Sequence, residues 1–217
     1  MSPDAHSESP ACSSKKKNKF GVTSRRTFLK SAGLASAGVA GLDLLRETAA
    51  AQAARSNVLG PGKVPIKLRV NGQVHSVSVE PRATLAEALR DELHMTGTKV
   101  VCDRGACSAC TVMVEKKPVC SCMTLAMDVG DRNITTVEGL AQGNNLHPVQ
   151  AAFVAHDALQ CGFCTSGMVM SCAALLERNA NPTIADVRTA ISGNICRCGT
   201  YPKVLEAALA VSRSKGA

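Results

Sequence analysis

Eight of the eleven cysteines in this 217-residue chain fall into two unlike sets of four, and few folds can gather both. Cys102, Cys107 and Cys110 form a C-x4-C-x2-C run, with Cys120 and Cys122 following as candidates to close the set. Cys161 and Cys164 form a C-x2-C pair, joined across 31 residues to the C-x-C pair Cys196 and Cys198. The first spacing is that of plant-type [2Fe–2S] sites. A loop around an anionic cluster must turn tightly and aim backbone N–H groups at sulfur, and Gly105, Ala106, Ser108 and Ala109 are small enough to allow that. On an extended stretch Cys120 and Cys122 share one face, so alternation does not choose between them. The second set could hold structural zinc or a redox dithiol. Zinc knuckles pair C-x2-C or C-x2-H units rather than C-x-C, however, and a thioredoxin-like C-x-x-C needs a βαβ context that is missing here. Two diiron centres in one small chain imply one-electron transfer between partners.

Residues 1–54 read as an export signal. Lys15, Lys16, Lys17 and Lys19 precede the twin arginine Arg25-Arg26, an uncharged small-residue stretch from Ser31 to Leu42, and a small-x-small cleavage region near 50–54. The apolar stretch, about twelve residues, is too short for a stable membrane span. The expected location is the periplasm, reached through the twin-arginine translocon. That route carries cargo already folded and loaded in the reducing cytoplasm, which reconciles thiolate ligands with an exported protein that would otherwise be expected to carry disulfides. Eight of the 25 Lys+Arg and four of the 17 Asp+Glu lie in this segment, leaving +4 on the remainder. Each oxidised centre with four thiolates contributes about −2, so the loaded protein is near neutral. With two per cent aromatic residues as well, neither a basic field nor a stacking platform suggests nucleic acid.

The rest divides into two modules, at residues 62–139 and 145–214. Ile66, Leu68 and Val70 alternate up to an Asn71-Gly72 turn, and Val74, Val77 and Val79 return, the pattern of a hairpin. Thr84 to Glu87 is a capping box for a helix through about Leu93. After the first cysteine loop come a strand at 111–115, a Lys116-Lys117 turn, a strand from Pro118, and a last strand near 134–137. Gly139 to His147 reads as a linker. Beyond it, Pro148 opens a helix burying Val149, Ala152, Phe153 and Leu159. Met168 to Leu176 makes a second, Thr183 to Asp186 caps a third with Gly193 as its C-cap, and Pro202 opens a fourth. The fold class is α+β: an N-terminal β-grasp, ferredoxin-like 2Fe-2S domain, then a small four-helix-bundle 2Fe-2S-binding domain. Roughly seventy residues is marginal for a free core, so metal should supply part of the stability. Cys12 falls in the signal, and Cys172 reads as a small buried hydrophobe.

Four stretches carry a resemblance. Cys102-Asp103-x-Gly105-Ala106-Cys107-x-Ala109-Cys110-Thr111-Val112, Pro118-Val119-x-Ser121-Cys122-x-Thr124-Leu125-Ala126, Gln160-Cys161-Gly162-Phe163-Cys164-Thr165-x-Gly167-Met168 and Gly193 through Gly199 resemble the iron–sulfur subunit of the xanthine oxidase family of molybdenum hydroxylases. The twin-arginine start is similar to its periplasmic aldehyde oxidoreductase branch. The resemblance implies Cys122 as the fourth ligand beside Cys102, Cys107 and Cys110, and Cys161, Cys164, Cys196 and Cys198 as the second set. It implies a large molybdopterin subunit and a medium FAD subunit as partners in a heterotrimer. It further implies that Gln160 and Cys198 lie against the pterin, and that electrons run from molybdopterin through both clusters to FAD. Two positions depart from the family pattern: Ser108, usually Gly, and Ser166, often Pro. A related hydroxylase of N-heterocycles or purines and a free-standing double-cluster carrier are the alternatives.

Overall fold

The computed structural model describes residues 59–215, and the expected export signal, with Cys12, lies outside them. Strands β1 (Val64–Val70) and β2 (Gln73–Val79) pair antiparallel from Val64↔Val79 to Val70↔Gln73. Asn71 and Gly72 both take positive φ, 50° and 80°, which matches the turn to the twist of its strands. Helix α1 (Leu85–Glu87) starts on the expected capping box: Glu87 N–H donates to Thr84 Oγ1 and Thr84 N–H to the Glu87 carboxylate. It then widens into a π-helical turn over Ala88–Glu92 that buries Leu89. Strands β3 (Thr111–Val114) and β4 (Lys117–Cys120) form the second hairpin. Its turn is Glu115-Lys116, one residue earlier than the sequence suggests, because these two residues take the left-handed conformation (φ 49° and 63°). A 3-10 turn (Ser121–Met123), the short helix α2 (Ala126–Val129) and strand β5 (Asn133–Thr135) complete the module.

The sheet order is β2-β1-β5-β3-β4, with β5 parallel to β1 and antiparallel to β3, the mixed sheet of a β-grasp. All four residues of β3 are buried, because both of its faces are covered. Val112 and Val114 join Leu68, Val70, Leu85, Leu89 and Ile134 in one core, while Met113 joins the helical core on the other side. That second core is built by α3 (Pro148–Ala155), α4 (Thr165–Arg178), α5 (Ile184–Ala190) and α6 (Tyr201–Lys215). Pro148 stands in the first turn of α3, and His147 accepts the Val149 N–H as its cap. Helix α4 starts at Thr165, with Gly167 inside its first turn rather than ahead of it. Leu159 falls beyond α3 and is half-buried. The C-cap of α5 is Ile191, not Gly193. Gly193 instead leaves room for the first cysteine loop, since a Cβ there would stand 3.1 Å from Ser108 Oγ.

Candidate metal centres

The ten described cysteines are free thiols, and the first set is built by the loop between α1 and β3. Asp103, Gly105 and Ser108 take positive φ (51°, 71° and 50°), curling the loop so that its N–H groups face inward. Backbone N–H of Arg104, contact with the Cys107 thiol, and backbone N–H of Ala106 and Cys107 hold the Cys102 thiol down at about 7. Gly105 N–H donates to Cys122 Sγ at 3.4 Å. Burial and then the adjoining Cys110 thiol push Cys122 up to about 12. The extended backbone ends at Cys120 and Cys122 lies on the 3-10 turn, so strand alternation does not relate the two thiols. Both thiols meet that of Cys110; Cys122 Sγ also receives the Gly105 N–H, while Cys120 Sγ stands 3.6 Å from Ser108 Oγ.

The second set comes from the turn ahead of α4 and the loop ahead of α6. Gly162 and Gly199, at φ 86° and 77°, let those turns close. Cys164 and Cys196 are buried, Cys161 and Cys198 exposed. Burial and then the Cys196 thiol push Cys164 up to about 12. Burial also acts on Cys196, but the Thr200 hydroxyl, 3.2 Å from its sulfur, with backbone N–H of Thr200 and Cys198, holds it at about 7.

Each set resolves into two touching pairs. Cys102 meets Cys107 and Cys110 meets Cys122; Cys161 meets Cys198 and Cys164 meets Cys196. Two plus two is the donor arrangement a diiron centre requires, each iron taking two thiolates, and inward N–H groups suit its negative charge. Among the described residues, no three or more His, Cys, Asp or Glu side chains gather round a point fit for one metal ion. Gln160 is exposed beside Cys161.

The two sets are strapped together. Ile195 N–H donates to Cys107 O at 3.1 Å, and Asn194 Nδ2 donates to Ser108 O at 3.0 Å. Ser171 Oγ in turn donates to Asn194 Oδ1 at 2.9 Å. Tyr201 OH accepts the Cys196 N–H at 2.8 Å and donates to Asn194 O at 3.1 Å. These positioning residues were not legible in the cysteine spacing. Tyr201, the single tyrosine of the chain, and the buried Asn194 could have been noticed by their closeness to the C-x-C pair.

A family model described as a 2Fe-2S iron-sulfur cluster binding domain matches residues 68–141, and one described as a [2Fe-2S] binding domain matches 136–209. The aldehyde oxidoreductase iron-sulfur-binding subunit PaoA of Escherichia coli (strain K12) is 44% identical over 162 residues, covering 68% of this chain and 71% of that protein. The nicotine 6-hydroxylase small subunit of Paenarthrobacter nicotinovorans is 48% identical over 147 residues, covering 68% of this chain and 88% of that protein. This chain belongs to the iron–sulfur subunits of the molybdenum hydroxylase family. As an iron–sulfur subunit it also matches a solved structure, quinoline 2-oxidoreductase from Pseudomonas putida 86, at TM-score 0.68 and 41% identity, covering 70% of this chain and 96% of the other. A second, the aldehyde oxidoreductase from Desulfovibrio gigas, gives TM-score 0.67 and 38% identity over 70% of this chain and 17% of that longer one.

Proposed function

We propose that this chain is the electron-transfer subunit of an exported, molybdenum-dependent aldehyde oxidoreductase. Cys102, Cys107, Cys110 and Cys122 would hold one [2Fe–2S] centre and Cys161, Cys164, Cys196 and Cys198 the other. When bound, these clusters supply one-electron storage. The protein supplies their spacing, their charge compensation and their access to partners. The observation that carries the reading is the Ile195 N–H···O=C Cys107 bond. Ile195 adjoins Cys196, so this one hydrogen bond joins the backbone of a second-set cysteine to that of a first-set cysteine. It gives a short, rigid connection between the two sets.

Access at both ends supports the same reading. Exposed Cys161 and Cys198 lie among exposed Gln160, Phe163 and Ile195, a surface suited to a large subunit carrying molybdopterin. Half-exposed Cys102 is flanked in sequence by exposed Val101, and Cys122 by exposed Met123, which suits a medium subunit carrying FAD. Electrons would enter at the first surface and leave at the second, in a heterotrimer that reaches the periplasm by the twin-arginine route.

Similarity to PaoA favours an aldehyde as the substrate of the complex. The 48% identity to the nicotine 6-hydroxylase small subunit favours a second reading, an N-heterocycle. Purification of the tagged chain from its native periplasm tests both. Molybdenum, flavin and two further polypeptides should co-purify, with turnover of an aromatic aldehyde. Turnover of a pyridine instead selects the second reading. A chain eluting alone with iron as its only metal refutes both, leaving a free-standing carrier.

A further inference from the structure

The first cysteine set has a fifth thiol. Cys120 ends β4 opposite Thr111, the residue that follows Cys110, and its side chain packs on the cluster formed by Ala86, Cys110 and Cys122. Its thiol touches that of Cys110, with Cys102 at longer range, and these are the same two thiols that neighbour Cys122. Between them, buried Ser121 pins the segment: its backbone N–H and its hydroxyl both donate to Cys110 O, at 3.3 and 2.7 Å. Both flanking thiols thus adjoin the Cys110 thiol, one on either side of a fixed point. They differ in what holds them. Cys122 Sγ receives the Gly105 N–H, whereas Cys120 Sγ stands 3.6 Å from the Ser108 hydroxyl, on a residue whose φ of 50° is left-handed.

We propose that Cys120 is a reserve ligand of the first centre, parked on Ser108 and able to take the coordination position of Cys122. The inference rests on the assignment of that centre to Cys102, Cys107, Cys110 and Cys122. The exchange is acid–base and not redox. The Cys120 thiol gives its proton to water, its sulfur takes the position, and the displaced ligand leaves with a proton from solvent. One thiolate replaces another, so the charge of the centre is unchanged. A serine oxygen at position 122 is a poorer ligand for this iron than a thiolate, and the vacancy created by Cys122→Ser is therefore filled by Cys120.

The test uses the full chain, purified anaerobically with whatever partners accompany it. Iron and acid-labile sulfide are counted, and paramagnetic resonance spectra are recorded after reduction. The second centre's signal serves as the internal control for folding. Wild type should carry about four irons, and Cys120→Ala should match it in iron and in both signals. Cys122→Ser should keep its iron but shift the first-centre signal. The double variant C120A/C122S should lose about half its iron and the whole first-centre signal, with the second intact. Adding Ser108→Ala to C122S should leave its iron unchanged, since release of Cys120 favours the exchange.

Loss of the first centre in C122S alone, or its retention in the double variant, overturns the proposal. Loss in C120A alone overturns it too, by making Cys120 the resident ligand. A wild type with fewer than four irons is a different failure, that of the two-centre assignment itself.

Discussion

Gly167 sits where the two modules approach too closely to admit a side chain, and replacing it by alanine would force them apart. It lies in the first turn of α4, one residue beyond Ser166, whose hydroxyl reaches Ala109 O at 3.5 Å. A Cβ at position 167 would stand 2.2 Å from Ser108 O and 3.1 Å from Ala109 Cα and Ala109 O. These are backbone atoms of the first cysteine loop, with no flexible end to swing aside. Ordinary contact needs about 1 Å more room at Ser108 O. Overpacking of this kind costs about 1–3 kcal/mol. Opening the gap also stretches the Asn194–Ser108 and Ile195–Cys107 bonds, at about 1 kcal/mol each. Alanine returns about 1 kcal/mol through its better helix propensity. The net is a loss of about 2–4 kcal/mol, a fall of about 4–16 °C in the melting midpoint for a unit of this size. Thermal unfolding of the loaded chain, followed by circular dichroism, reads it out. Gly62→Ala, where nothing lies within 4 Å, is the neutral control. A Gly167→Ala midpoint equal to or above wild type would refute the close approach and, with it, the strapping of the two sets.

Three further outcomes follow from the thiol environments and the strap. In the chain stripped of metal, Cys102 should alkylate with a half-maximal rate at about pH 7, against 9.0 for an ordinary thiol, while Cys122, at about 12, stays inert. The sign follows from the lowered folded value: the thiolate's stabilising contribution is complete above the unfolded value of 9.0 and is lost as pH falls through about 7. Peptide mass mapping across pH would contradict this if both thiols reacted with midpoints near 9. Cys172→Ser should cost about 1–3 kcal/mol by burying a hydroxyl in a site that packs a fully buried thiol, yet leave the iron content unchanged; iron loss would make Cys172 more than a packing residue. Ile195→Pro removes the N–H that bonds Cys107 O. Stopped-flow reduction should show both centres present but equilibrating more slowly, and an unchanged rate would discount that bond as the connection.

What was legible in the sequence was local. The Asn71-Gly72 turn, the Thr84 and Thr183 capping boxes and Pro148 at a helix start each depend on contacts within a few residues, and each stands where the sequence placed it. The small shifts are local as well: the turn stands at Glu115-Lys116, the two residues that take the left-handed conformation, one position before Lys116-Lys117. The shared role of β3 was not legible, since Val112 and Met113 are both apolar and only tertiary packing assigns them to different cores. Gly193 was misread as a cap for the same reason, its neighbour Ser108 being 85 residues away in sequence. Alternation could not separate Cys120 from Cys122 because it presumes extended backbone, and the 3-10 turn at Ser121–Met123 breaks that period.

The direct test of two diiron centres in one polypeptide is a metal and sulfide count on anaerobically purified protein, joined to resonance spectra of its reduced form. The account predicts about four irons and four labile sulfides per chain, with two distinguishable rhombic signals. Zinc in place of iron, or Cys161, Cys164, Cys196 and Cys198 recovered as disulfides, would contradict it.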